Sequence, residues 1–250
     1  MSTYVETTVT DAIATITIDR AERHNSLVPA LLEELLDSIS ATAADPEVRV
    51  IVLQTAGPSF STGGDVAAFY EHRADITAYA ERTVGLLNEV ILALLRVSQP
   101  VVTAVDGQVT GGSLGLLLAS DLVVMTDAAT ITPYYAVVGY SPDGGWTAIL
   151  PEIIGRKRTV RVLSTNETIT AEQAVQWGLA SELTEGDPKE RAQSVAARIT
   201  TMKQGTVEEA KRLVGPDPDE VAMALDAERQ AFVAQIQTDE ALEGMETFLE

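Results

Sequence analysis

Three apolar runs of strand type, separated by helical repeats, limit what this chain can fold into more than any other feature. The runs are VRVIVLQT at 48–55, VVTAV at 101–105 and LVVM at 122–125. Apolar residues recur at helical spacing between the first two runs, and a buried helical run lies between the last two. Crossover connections of this length join parallel strands. The sequence therefore predicts an α/β protein whose parallel sheet units are linked by crossover helices.

The segments on either side of these runs add elements of their own. Alternating apolar and polar residues over 4–19 predict a β-hairpin that enters the sheet. One helix is predicted around residues 148–163, and from Asp187 onward the chain is mostly polar with helical spacing. We place a boundary near residue 185, between a core at 1–185 and a helical C-terminal region at 186–250.

Composition excludes several classes of site and partner. The 250 residues include no cysteine and only two histidines, which rules out disulfides and zinc–sulfur sites and argues against a multi-histidine metal site. A formal charge of −20 argues against nucleic acid and anionic membranes as partners. No apolar run approaches the ~18 residues that span a bilayer, and the first residues lack the pattern of a signal peptide. A cytoplasmic location is expected.

Two glycine-rich loops follow neighbouring strands. TAVDGQVTGGSLGLLLASD at 103–121 leads from a strand into a buried helix, and FSTGGD at 60–65 follows the preceding strand. A helix that begins at such a loop leaves backbone N–H groups unpaired, and developing negative charge on an oxygen can use them. Ligands of parallel sheets bind at the carboxyl ends of the strands, so both loops could face one carbonyl oxygen. The alternative is that the glycines only make tight turns and Asp65 only caps a helix.

Two better-known motifs do not fit the second loop. GGSLG at 111–115 matches the G-x-S-x-G nucleophile elbow, which would make Ser113 a nucleophile. The elbow requires its histidine after the serine, whereas His24 and His72 both precede Ser113. The glycines also miss the G-x-G-x-x-G order of dinucleotide-binding proteins. Neither a hydrolase triad nor a dinucleotide site is predicted.

FSTGGD and AVDGQVTGGSLGLLLASDLVV, in this order and separation, resemble the two signature segments of the enoyl-CoA hydratase/isomerase (crotonase) superfamily. The resemblance extends over nearly the whole chain, through ERHNSL, TITPYYAVVGYSPDGG, TAEQAVQWGLASEL and DEALEGMETFLE. It implies a crotonase-like ββα-superhelix core with a C-terminal helical oligomerisation region, in a homotrimer or a dimer of trimers. It implies an acyl-CoA thioester as the substrate. It implies neither a metal nor a cofactor, since coenzyme A enters as part of the substrate.

The resemblance also implies roles for individual residues. The backbone N–H groups of Gly64 and Gly112 would form an oxyanion hole that grips the thioester carbonyl. Asp143, in SPDGG, stands where a subset of the family's isomerases carries its single catalytic acid. The other positions expected to bind substrate are His24, Ser26, Ser61, Thr62, Asp65, Val66, Gly111, Tyr135 and Tyr140.

The sequence departs from the family's hydratases at the positions of their two glutamates, which are Gly115 and Tyr135 here. Moving a double bond needs only one acid/base, and a carboxylate against an aromatic wall can have its pKa raised for that task. We therefore expect an acyl-CoA isomerase with Asp143 as the acid/base, although Pro-Asp-Gly is also an ordinary β-turn sequence. A hydratase or another crotonase reaction, and a catalytically silent acyl-CoA-binding protein, remain alternatives.

Overall fold

The computed structural model describes residues 3–250. Up to residue 105 the elements are β1 (Val5–Thr10), β2 (Ile13–Ile18), α1 (Pro29–Ala44), β3 (Val50–Thr55), α2 (Val66–Glu71), α3 (Ile76–Arg96) and β4 (Val101–Val105). The predicted hairpin (β1 and β2) and the strands predicted at 48–55 and 101–105 (β3 and β4) are confirmed. Helix α1 begins with a proline, which a first helical turn tolerates because its N–H groups have no partner within the helix.

The chain after β4 is mostly helical. Its elements are β5 (Gln108–Thr110), α4 (Leu114–Leu118), β6 (Leu122–Thr126), β7 (Thr130–Thr132), α5 (Tyr135–Val138), α6 (Leu150–Ile154), α7 (Arg156–Thr165), β8 (Ile169–Thr170), α8 (Ala171–Trp177), β9 (Glu182–Thr184), α9 (Pro188–Thr200), α10 (Gln204–Val214), α11 (Pro218–Gln235) and α12 (Asp239–Leu249). The single helix predicted around residues 148–163 was wrong. It is divided into α6 and α7 at Gly155, whose φ of +83° is incompatible with a continuous helix.

The main sheet has six strands in the order β1-β2-β3-β4-β6-β9. Strands β1 and β2 pair antiparallel, and every later neighbour pairs parallel. The predicted parallel α/β architecture is therefore confirmed. Because β3 and β4 are parallel neighbours, the loops that follow them leave the sheet at the same edge.

A second, smaller sheet joins β5, β7 and β8. Strand β5 of this sheet lies between β4 and α4, where the sequence predicted a glycine-rich loop. A single 3-10 turn at Gly111–Ser113 then leads into α4, a helix of five residues whose side chains are all buried. Because α4 is so short, its dipole is small. The unpaired N–H groups at its start are therefore more important than the dipole for stabilising negative charge.

Both faces of the main sheet are covered. Ile51 and Leu53 of β3 pack in the cluster that contains the apolar faces of α1 and α3, whereas Val50 and Val52 pack in a second cluster with Ala192 of α9. This explains why β3 is continuously apolar rather than alternating. Helix α9 lies beyond the predicted boundary near residue 185, so the C-terminal region begins by completing the core.

The remaining C-terminal helices pack on the core and leave an apolar surface. Helix α11 contacts α3, and α12 contacts α2 and α5. Leu213, Val214 and Met223 are 67%, 88% and 70% exposed. The predicted trimer or dimer of trimers stays a prediction. Within residues 3–250, none of the helices combines the length and the apolar character needed to cross a bilayer.

Candidate active site

A cavity of about 160 Å³ lies where the loops that follow β3 and β4 meet. Six aromatic side chains form much of its wall: Phe69, Tyr134, Tyr135, Tyr140, Phe232 and Phe248. Asp143 is the only carboxylate among the residues that line it, and no lysine or arginine of residues 3–250 is among them. The cavity therefore suits an uncharged, apolar group placed beside a single acid.

Backbone hydrogen bonds hold the loop at 60–65 between two other segments. On one side, the Leu27 N–H donates to the carbonyl of Gly63 at 2.7 Å. On the other side, Ser61 exchanges two backbone hydrogen bonds of 3.0 Å with β5. The two glycine loops are thus connected directly, through β5, and their relative position is fixed by main-chain bonds.

Asp65 ties the same loop to the segment that precedes α1. Its carboxylate accepts hydrogen bonds from Arg20 at 2.8 Å and from Arg23 at 3.1 Å. It also accepts from Ser26 Oγ at 3.1 Å and from the Ala68 N–H at 3.2 Å, so Asp65 does cap α2. Burial raises the pKa of Asp65, but the arginines and the Ala68 N–H outweigh burial and hold that pKa below its ordinary value. Asp65 and Ser26 lie outside the cavity wall and fasten the loop.

The N–H groups of Gly64 and Gly112 both remain free at the cavity. Neither donates a hydrogen bond to any group of residues 3–250, and both glycines line the wall. The glycine before each of them has a positive φ, +73° at Gly63 and +52° at Gly111. A Cβ built on Gly63 would lie 3.3 Å from the Cα of Gly111, so the two loops touch at this point. Gly64 and Gly112, each with an unpaired N–H, therefore lie on two loops that touch.

Asp143 lies against the second of these donors. A Cβ built on Gly112 would lie 2.9 and 3.1 Å from the two carboxylate oxygens of Asp143. Asp143 is 6% exposed, and its pKa is raised to about 7. Burial raises this pKa most, the hydrogen bond from Tyr135 lowers it, and the charge of Glu228 raises it. Asp143 can therefore both accept and return a proton near neutral pH.

Tyr135 holds the Asp143 carboxylate in place. Its hydroxyl donates to Oδ1 of Asp143 at 2.6 Å and also lies 3.1 Å from the Asp143 carbonyl oxygen. Burial, and then the negative charge of Asp143, raise the pKa of Tyr135 well above its ordinary value, so the hydroxyl stays a donor. Trp146 packs edge-on against the Tyr135 ring and donates from Nε1 to the Gly111 carbonyl at 2.7 Å.

The structure divides the predicted site residues into two groups. Those in the cavity wall are Thr62, Gly64, Val66, Gly111, Gly112, Tyr135, Tyr140 and Asp143. Those outside the wall are His24, Ser26, Ser61 and Asp65. His24 is exposed, with its Nδ1 3.1 Å from Ser59 Oγ, and the Ser61 hydroxyl donates to the Asn25 carbonyl at 2.7 Å. These two residues support the loops around the cavity.

Ser113 has the surroundings of a structural serine. It is fully buried, and its hydroxyl donates to the carbonyls of Thr110 at 2.7 Å and Ser61 at 3.2 Å. Neither histidine reaches it, because His24 faces Ser59 and His72 stacks on Tyr79. A nucleophilic serine needs an adjacent base, so the geometry does not support Ser113 as a nucleophile.

Gly115 lies in a space that its neighbours already fill. A Cβ built on it would collide with the Cδ1 atom of Ile91 and would lie 2.7 Å from the Gly144 carbonyl oxygen. The position where the family's hydratases carry a glutamate therefore has no room for one. Tyr135, at the second glutamate position, is occupied by its hydrogen bond to Asp143.

The sequence interpretation missed the contribution of the C-terminal helices. Phe232 of α11 and Phe248 of α12 line the cavity, together with Phe69 of α2. Phe248 packs edge-on against Tyr134 with 6.4 Å between ring centroids. The only sequence signal was that aromatic residues are scarce, at 5% of the chain, yet Phe232 and Phe248 fall in the C-terminal helices. Within residues 3–250, no group of three or more potential metal ligands comes together.

Comparison with known proteins gives the same family by three routes. The family model described as enoyl-CoA hydratase/isomerase matches residues 8–250. A 4-chlorobenzoyl coenzyme A dehalogenase from an Arthrobacter species is 34% identical over 203 residues, which cover 79% of this chain and 74% of that protein. A trans-2-decenoyl-[acyl-carrier-protein] isomerase from Streptococcus mutans is 30% identical, covering 82% and 78%. The crystal structure of an enoyl-CoA hydratase from Bacillus halodurans superposes with a TM-score of 0.91 at 25% identity, covering 98% and 99%.

Proposed function

The chain belongs to the enoyl-CoA hydratase/isomerase family, whose crotonase-like fold it shares, and from this premise we propose that it is an acyl-CoA isomerase. Its substrate is a CoA thioester with an unsaturated acyl group, and the double bond moves through an enolate. One observation carries the proposal: within residues 3–250, Asp143 is the single charged side chain that lines the cavity, and its carboxylate lies against Gly112, whose N–H is free.

The reaction follows from these groups. The N–H groups of Gly64 and Gly112 receive the thioester oxygen, and the Asp143 carboxylate removes a proton from the α-carbon. The electrons of that C–H bond move toward the carbonyl, so negative charge grows on the oxygen that the two donors hold. In a 3-enoyl thioester the charge extends to the γ-carbon. The protonated Asp143 returns the proton there, which gives the 2-enoyl thioester without any other reactant.

The cavity supports isomerisation better than hydration. Hydration needs a water molecule activated by carboxylates, and Asp143 is the only carboxylate that residues 3–250 contribute to the wall. Its Oδ1 accepts a 2.6 Å hydrogen bond from Tyr135, which leaves Oδ2 as the free proton acceptor. One acid/base with one free oxygen matches a reaction that takes up and returns one proton.

A panel of thioesters tests the proposal. We expect the enzyme to interconvert 3-enoyl-CoA and 2-enoyl-CoA, followed by the absorbance of the conjugated thioester, and to form no 3-hydroxyacyl-CoA from the 2-enoyl isomer. Hydroxyacyl product would favour a hydratase, and chloride release from 4-chlorobenzoyl-CoA would favour the chemistry named for the Arthrobacter relative. Binding without turnover across the panel would identify a catalytically silent acyl-CoA-binding protein.

Gly115→Glu tests whether a glutamate at this position is enough to give the enzyme hydratase activity. We expect no hydratase activity in this variant, because the new side chain collides with Ile91 and with the Gly144 carbonyl. We also expect lower stability in urea unfolding experiments, by at least the ~1–3 kcal/mol of an overpacked core, because the buried carboxylate adds to that cost. Hydration of 2-enoyl-CoA by a stably folded Gly115→Glu variant would show that the residue type, and not the space, had been limiting.

A further inference from the structure

A second buried carboxylate lies behind the first. Glu228 of α11 is 4% exposed and pairs with no lysine or arginine of residues 3–250. Four donors satisfy it instead. Oε2 accepts from the Gly145 N–H at 2.8 Å, and Oε1 accepts from the Thr147 N–H at 2.6 Å, the Thr147 hydroxyl at 2.8 Å and the Ala148 N–H at 2.8 Å. A buried carboxylate without a cation is costly, so its retention calls for a reason.

All four donors belong to the turn that carries Asp143. Gly144 and Gly145 both have positive φ, +63° and +87°, a backbone shape that glycine adopts readily and other residues resist. A Cβ built on Gly144 would lie 2.6 Å from the Cα of Gly112, which shows how tightly the turn is pressed against the oxyanion loop. Glu228 thus connects the C-terminal helix α11 to the segment that positions the catalytic acid.

The charge of Glu228 also acts on Asp143. Two groups act on the Asp143 side chain: the Tyr135 hydroxyl of α5 through its hydrogen bond, and the Glu228 carboxylate of α11 through its charge. The first lowers the pKa of Asp143 and the second raises it, after burial has raised it most. Glu228 itself is faced by the uncharged donors of Gly145, Thr147 and Ala148, which partly offset the effect of burial on its own pKa.

We propose that Glu228 is a positioning residue of the active site: from α11, its carboxylate holds in place the turn that carries Asp143. The inference rests on the proposed function for its kinetic consequences, but not for its structural ones. It also gives the C-terminal region a part in catalysis that is separate from subunit assembly.

Two variants separate the two effects. Glu228→Gln removes the charge and keeps most of the shape, although its amide group cannot accept the Gly145 N–H. Glu228→Asp keeps the charge but is one methylene too short to reach all four donors. Glu220→Gln, an exposed change of the same type on the same helix, serves as the control. Melting curves establish that each variant is folded before its kinetics are measured.

The measurement is the pH dependence of α-proton exchange into D2O, which in the wild type should rise through a midpoint near pH 7, the pKa of Asp143. We expect Glu228→Gln to move the midpoint to lower pH by at least about half a unit, because removal of a like charge favours the ionised base. We expect Glu228→Asp to keep the midpoint and to lower the plateau by about 10- to 100-fold through misplacement of the base. Glu220→Gln should change neither value.

A midpoint and a plateau in Glu228→Gln that both equal those of Glu220→Gln would overturn the proposal, because Glu228 would then be a packing residue only. A plateau in Glu228→Asp equal to that of Glu220→Gln would overturn the positioning effect. Titration of the Asp143 carboxyl by 13C NMR, with the signal assigned by its loss in Asp143→Asn, reads the same shift without turnover. If the wild type exchanges no proton at all, the proposed function fails, and this titration still decides the role of Glu228.

Discussion

Asp143→Asn is expected to reduce exchange of the thioester α-proton into D2O by roughly 10²- to 10⁴-fold, the usual contribution of a positioned acid/base. The amide has the shape of the carboxylate and its oxygen can still accept from the Tyr135 hydroxyl, but it cannot take up a proton. The substitution leaves the N–H groups of Gly64 and Gly112 unchanged, so acyl-CoA binding should survive. Exchange is followed by proton NMR and binding by calorimetry.

The control and the pH profile make this test specific. Asp127→Asn, on an exposed turn after β6, should exchange the proton at the wild-type rate. In the wild type, the rate should rise with pH around pH 7, because the base must be deprotonated and burial holds its pKa at about 7. The residual rate of Asp143→Asn should lack that rise. Exchange at the wild-type rate in Asp143→Asn would show that another group is the base.

Gly112→Ala is the second change with a large expected effect. Its Cβ would lie 2.8 Å from Leu87 Cδ2 and 2.9 Å from Asp143 Oδ1, so it displaces the oxyanion donor and the base together. Loss of one oxyanion donor alone typically lowers kcat by roughly 10²- to 10³-fold, and we expect at least that loss in kcat/KM. The measurement is steady-state isomerisation of 3-enoyl-CoA.

Gly85→Ala is the matched control for this substitution. Gly85 lies within α3, and a Cβ built there meets nothing within 4 Å. The control should keep full activity and should be slightly more stable, by up to about 1 kcal/mol, since alanine favours a helix over glycine. Near-wild-type kcat/KM in a folded Gly112→Ala variant would show that the Gly112 N–H does not stabilise the thioester oxygen.

Much of the fold could be predicted because its signals are local. The β3 run is continuously apolar since both of its faces are buried, and that pattern is visible in the sequence itself. The ends of α8 also depend on local signals, a capping box formed by Thr170 and Gln173 and an αL glycine at Gly178. The division at Gly155 was missed because a glycine within a helical pattern does not by itself disclose a positive φ.

The candidate site was harder to predict because its geometry depends on distant segments. The family resemblance pointed to Gly64, Gly112 and Asp143, all of which line the cavity. It could not show that the Asp65 side chain lies outside the cavity and pairs with Arg20 and Arg23, because those arginines are more than forty residues away along the chain. Nor could it show that Glu228 reaches the Asp143 turn from more than eighty residues away along the chain. Such contacts have no local pattern.

A crystal structure with a bound saturated acyl-CoA, which cannot isomerise, tests the central claim most directly. The account predicts that the thioester oxygen accepts hydrogen bonds from the N–H groups of Gly64 and Gly112. It also predicts that Oδ2 of Asp143 is the carboxylate oxygen nearest to the α-carbon. A thioester oxygen held elsewhere, or another carboxylate closer to the α-carbon, would contradict it.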